Sequence, residues 1–89
     1  MKMKYSASQF FADRKRLMEI VANKIAYVGS DTSTFRVTFA DDTLGLRIDV
    51  FLSKKTVMLL TKSSNSPCAK RKQSWEEISS IFNNLYNYV

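Results

Sequence analysis

The residues Thr34-Phe35-Arg36-Val37-Thr38-Phe39, then Leu44-Gly45-Leu46-Arg47-Ile48-Asp49-Val50-Phe51-Leu52, then Thr56-Val57-Met58-Leu59-Leu60-Thr61 decide the fold. In the first run Phe35, Val37 and Phe39 alternate with Thr34, Arg36 and Thr38. In the second, Leu44, Leu46, Ile48, Val50 and Leu52 hold one face. Period two with β-branched and aromatic residues is the pattern of a half-buried strand. A polar Asp41-Asp42 turn would set Phe39 against Leu44, Val37 against Leu46 and Phe35 against Ile48. A Lys54-Lys55 turn would set Leu52 against Val57 and Val50 against Leu59. Both registers join apolar faces, whereas a one-residue slip would turn a strand inside out. The third run is apolar on both sides, because Met58 and Leu60 point away from Val57 and Leu59. Such a run predicts that the second sheet face is also partly covered.

The same register predicts Arg36 opposite Arg47, and Arg47 opposite Lys62, with Asp49 diagonal to Arg36. Like charges directly opposed across strands repel mildly. This row therefore reads either as a solvated face with one acidic partner or as a track for phosphate or carboxylate.

Outward from the meander, Ser6 or Ser8 can cap a helix running to about Asn23. Phe10, Phe11, Leu17, Met18, Val21 and Ile25 gather on one side of it, and Lys15, Arg16, Glu19 and Asn23 on the other. Arg14 projects from the middle of the apolar stripe, so it either reaches a carboxylate at the core edge or serves an interface. Ile25 to Val28 reads as the end of this helix or, preferably, as a fourth, edge strand closed by Gly29. Residues 1–5 read as disordered or as a further edge strand. Residues 63–73 read as a flexible basic loop ending in Lys70-Arg71-Lys72. Ser74-Trp75-Glu76-Glu77 has capping-box spacing. After it Trp75, Ile78, Phe82, Leu85 and Val89 form an apolar stripe, which predicts one helix to the end of the chain. The expected fold is α+β: a single two-layer domain, with a three- to four-stranded antiparallel meander between an N-terminal and a C-terminal helix.

Eighty-nine residues with 45% hydrophobic content suffice for one core without metal or disulfide staples. The net charge is +6 and uneven. Residues 1–24 carry six Lys/Arg against two acids, residues 25–49 carry two against four, and residues 50–89 carry six against two. That asymmetry suits an acidic partner, either nucleic acid or a carboxylate-rich protein. The lone Cys68 and the absence of an apolar leader predict an intracellular location, cytoplasmic or nuclear, and no run is apolar enough to span a membrane. There is no histidine, and there are only two glycines. The usual general base, a Cys-His pair, a P-loop and a dinucleotide fingerprint are all missing. Asp41-Asp42 and Glu76-Glu77 read as turn and helix-start residues rather than metal ligands. No cofactor, no metal site and no enzyme are expected.

Two functions remain. The first is a small nucleic-acid-binding module gripping RNA or DNA phosphates through Arg36, Arg47, Lys62, Lys70, Arg71 and Lys72. The order α-β-β-β-α with basic residues opening the last helix is similar in layout to double-stranded-RNA-binding domains. The likeness stops at layout, since Trp75, Phe82 and Tyr86 stand where that family's last helix is alanine-rich. The second is a protein-interaction module, a homodimer or a virus- or phage-type accessory that blocks a larger host protein. Its interface would hold Arg14, Phe51, Met58 and Leu60, an apolar patch rimmed by charge.

Overall fold

The computed structural model describes residues 4–62 and 66–89. Helix α1 spans Ala7–Val21, strands β1 to β4 span Ala26–Asp31, Arg36–Asp41, Leu46–Phe51 and Thr56–Thr61, and β5 spans Cys68–Lys70. Helix α2 follows at Trp75–Asn83, with a 3₁₀ turn at Leu85–Tyr88. The strands form one antiparallel sheet in chain order, β1-β2-β3-β4-β5. This is the expected α+β order with five strands rather than three or four. The fourth is the edge strand expected at Ile25–Val28, although Gly29 does not end it but pairs with Thr38 beyond a bulge at Val28. The fifth, β5, is unexpected: it lies within the stretch read as a flexible loop, of which residues 63–65 lie outside the described part. Residues 1–3 also lie outside it, and Lys4 and Tyr5 form no strand. Five strands between the helices set this fold apart from the three-strand layout of double-stranded-RNA-binding domains.

The four long strands repeat every ten residues: six in the strand, four in the loop. Each loop ends on a residue with positive φ, namely Phe35 (55°), Gly45 (65°) and Lys55 (51°). The carbonyls of these three residues accept from Leu52 N (2.8 Å), Lys62 N (3.1 Å) and Gln73 N (2.9 Å). In the middle loop the Asp41 carboxylate accepts from Leu44 N at 3.0 Å, and Gly45 supplies the left-handed step without a Cβ penalty. The hairpin is therefore wider than an Asp41-Asp42 turn. Phe39 meets Ile48 rather than Leu44, and Val50 meets Val57 rather than Leu59. Both shifts are even in number, so each strand keeps its expected inward face.

That face is the core. Val37, Phe39, Leu46, Ile48, Val50, Val57 and Leu59 are buried with Phe10, Leu17 and Val21 from α1 and Ile78, Ile81 and Phe82 from α2. Phe82 packs edge-on against Phe39 with centroids 5.4 Å apart. Both helices thus lie on one side, and the Arg36/Thr38/Ala40 side has no helix over it. Ser6 caps α1 by accepting from Gln9 N at 3.1 Å. The helix stops at Val21 because Ala22 turns to φ 50°, and Phe11, placed by its spacing on the apolar side, is 47% exposed. Ser74 and Glu77 form the capping box of α2 as expected. The continuous C-terminal helix does not form. It breaks at Asn84, whose amide N–H donates to Ile81 O, and Val89 ends up exposed.

Candidate nucleic-acid interface

The cross-strand row Arg36/Arg47/Lys62 does not assemble. Arg36 faces Phe51, while Arg47 faces Ala40 on one side and Leu60 on the other. Each arginine also has a carboxylate beside it: Arg36 lies 3.7 Å from Asp31, and Arg47 lies 3.6 Å from Asp49. Asp49 accepts from the Thr38 hydroxyl at 2.6 Å, which lets Thr38 be buried on this otherwise open face. The Ser33 hydroxyl and amide, and then Arg36, hold the Asp31 carboxyl below its ordinary range. Lys62 lies at the far end of the sheet, packed over Gly45 in a groove it shares with Asp41 and Asp42. Charge on the open face is thus largely balanced locally.

The unbalanced charge is at the other end, where β3 turns into β4 and β5 runs towards α2. There Gln73 N donates to Lys55 O at 2.9 Å and holds the Ser53-Lys54-Lys55 turn against the Arg71-Lys72 segment. Lys70, Arg71 and Lys72 do not act as one cluster, because β5 ends at Lys70 and the chain turns through the positive φ of Lys72, which sends the three side chains different ways. Lys70 lies on the helix side, 5.7 Å from the Tyr88 ring. Arg71 turns to the open side and lines a groove of about 540 Å³ with Thr34, Phe51, Ser53, Lys54 and Thr56. Lys72 has φ 52° and lines a second groove, of about 700 Å³, with Arg16, Lys54, Lys55 and Trp75.

Among the described residues five cations therefore meet around one end: Arg16, Lys54, Lys55, Arg71 and Lys72. The Arg16 guanidinium is 4.6 Å from the Trp75 ring centre and the Lys55 ammonium 5.0 Å, so the indole holds two like charges close together. Asp13 is the one carboxylate lining either groove, and both its oxygens are occupied by Gln9 (3.0 Å) and the Tyr5 hydroxyl. Burial first, then the hydrogen bond and charge of Asp13, push the Tyr5 phenol well above its ordinary value, so it stays a donor.

Of the residues expected at a partner interface, Phe51 belongs to the first groove. Met58 and Leu60 sit further along the open face, and Leu60 is 37% exposed. Arg14 is on the helix side, 5.0 Å from the Phe11 ring and bonded to the Ser30 hydroxyl at 3.4 Å. The spacing of charges missed Arg16, Lys54, Lys55 and Trp75. The signal for two of them was present, since a Lys-Lys pair in a hairpin loop is placed at a sheet end by the fold itself. Among the described residues no group of His, Cys, Asp and Glu could hold a metal ion, and no helix is long and apolar enough to cross a membrane.

Comparison with known proteins finds no family model, no curated protein and no solved structure that matches the chain.

Proposed function

We propose that the chain is a non-enzymatic nucleic-acid-binding module that takes backbone phosphates at the Lys54-Lys55 end. The observation that carries this reading is the convergence of Arg16, Lys54, Lys55, Arg71 and Lys72, with one already engaged carboxylate among them. Backbone strain adds support. Lys72 has φ 52° here, outside the hairpin loops whose closing position accounts for Phe35, Gly45 and Lys55. A left-handed lysine is unfavourable by roughly 1 kcal/mol or more, and strained residues gather at functional sites. Phosphates bound by clustered lysine and arginine release counterions, which makes affinity fall steeply with salt. The test is fluorescence anisotropy of labelled duplex RNA, duplex DNA and single strands at several salt concentrations. Binding that weakens steeply with salt supports the reading, and no binding at low salt rejects it.

A second reading rests on a different observation. Met58 and Leu60 lie on a sheet face that neither helix covers, where Arg36 and Arg47 stand beside Asp31 and Asp49. In a chain of net charge +6 this is the face where two copies would repel least. Self-association through it would bury a modest area and give a weak dimer.

A further inference from the structure

We infer that the groove around Phe51 is a base-stacking subsite, so that the nucleic acid this end prefers is single-stranded. The inference rests on the phosphate-binding reading and deepens it. Phe51 is the last residue of β3, and its side chain is on the open face, flanked in register by Arg36 and Thr56. It is only partly buried, although it belongs to a strand whose inward residues Ile48 and Val50 are sealed. The groove it lines, about 540 Å³, combines three kinds of group. There is one aromatic face, there are the hydroxyls of Thr34, Ser53 and Thr56, and there are the cations of Lys54 and Arg71, with no carboxylate.

Each group answers a part of one nucleotide. An aromatic face stacks a base of any sequence. The hydroxyls can donate to or accept from base edges and sugar oxygens. Lys54 comes from the β3–β4 loop and Arg71 from the segment after β5, and both line the groove with Phe51. The β3 and β5 strands are two sheet spacings apart, roughly 10 Å. Two cations carried by separate segments of the groove suit successive phosphates of one strand. A base paired and stacked within a duplex does not offer its face, so the groove discriminates in favour of single strands. An acidic peptide would satisfy Lys54 and Arg71 but would leave the Phe51 ring without a stacking partner.

The test compares two labelled strands of equal length and phosphate number, one of thymidines and one of abasic sugars, at low salt. The intact strand is expected to bind roughly tenfold tighter or more. Phe51→Leu, with its thermal melt checked for retained folding, is expected to erase that difference, and Phe51→Trp to keep it. Equal binding of both strands to the native chain overturns the subsite and leaves phosphate binding standing. A preference for bases that survives Phe51→Leu also overturns it, because the base is then read elsewhere. If neither strand nor duplex binds, the subsite falls together with the reading it rests on.

Discussion

Replacing Lys54 and Lys55 together is the most informative perturbation of the basic end, because both residues sit in one exposed loop outside the core. Lys54→Gln removes a charge and keeps most of the side chain. Lys55→Asn suits the positive φ of 51° better than lysine does, since asparagine tolerates the left-handed region. The loss of the Lys55 contact with Trp75 is worth about 0.5–1 kcal/mol and is offset by that relief, so the fold should persist. The effect on binding follows from counterion release. Five cations at the site correspond to a slope of about −4.5 in log K against log salt on duplex DNA, and about −3.5 on a single strand. Removing two lowers the duplex slope to about −2.7. Between 50 and 200 mM salt the native chain should then lose about 500-fold in affinity and the double variant only about 40-fold. At 0.1 M salt the variant should bind about 60-fold more weakly, if the salt-independent part is unchanged.

The assay is anisotropy on one labelled strand and one duplex across that salt range. Lys62→Gln is the matched control, since Lys62 lies over Gly45 at the opposite end of the sheet in a groove with Asp41 and Asp42. It should leave the slope where it was. A double variant with an unchanged slope would refute the reasoning. So would a Lys62→Gln slope as flat as that of the double variant, because the site would then not be at the Lys54-Lys55 end.

Three other outcomes are expected. Leu60→Glu should abolish self-association measured by sedimentation velocity, and the native dimer should tighten as salt screens its net charge. Nucleic-acid binding has the opposite salt dependence, so a dimer that weakens with salt, or one untouched by Leu60→Glu, would remove the open face from the contact. Gly45→Ala should destabilise by about 1 kcal/mol or more, because φ is +65° and a new Cβ would come 2.6 Å from Lys62 Cγ. In a Lys62→Ala background the steric part should vanish and the left-handed strain remain, which urea midpoints can separate. Glu77 accepts from the Ser74 amide and, chiefly through that bond, has its carboxyl below the ordinary 4.5. Its folded value is depressed, so its contribution is present above 4.5 and is lost as pH falls through the lower folded value. Urea midpoints of Glu77→Gln should accordingly fall less than those of the native chain below pH 4.5; parallel curves would assign the acid sensitivity to other groups.

The division between what was legible in the sequence and what was not follows from the period of a strand. Alternation fixed which side of Val37, Phe39, Ile48, Val50, Val57 and Leu59 is buried, and any register error by an even number leaves that answer intact. The two hairpin errors were of this kind: Phe39 lies four residues from its expected partner, and Val57 two. The inward face of a core strand is insensitive to such slips because it meets many apolar neighbours at once. A surface row does not, since it is a statement about single neighbours, and the same slips separated Arg36 from Arg47 and Arg47 from Lys62. The ten-residue hairpin repeat that would have corrected the register was marked in sequence by a single glycine, Gly45. At the equivalent positions stand Phe35 and Lys55, which carry no propensity for positive φ. Phe35 is retained there by its packing on Tyr5, with centroids 4.8 Å apart, and on Phe10. Lys55 is retained by the same loop geometry, with its carbonyl accepting from Gln73 N at 2.9 Å and its ammonium over the Trp75 indole at the rim of a cationic groove. The same residue that hid the repeat therefore marks the basic end through its side chain, while its backbone obeys the loop.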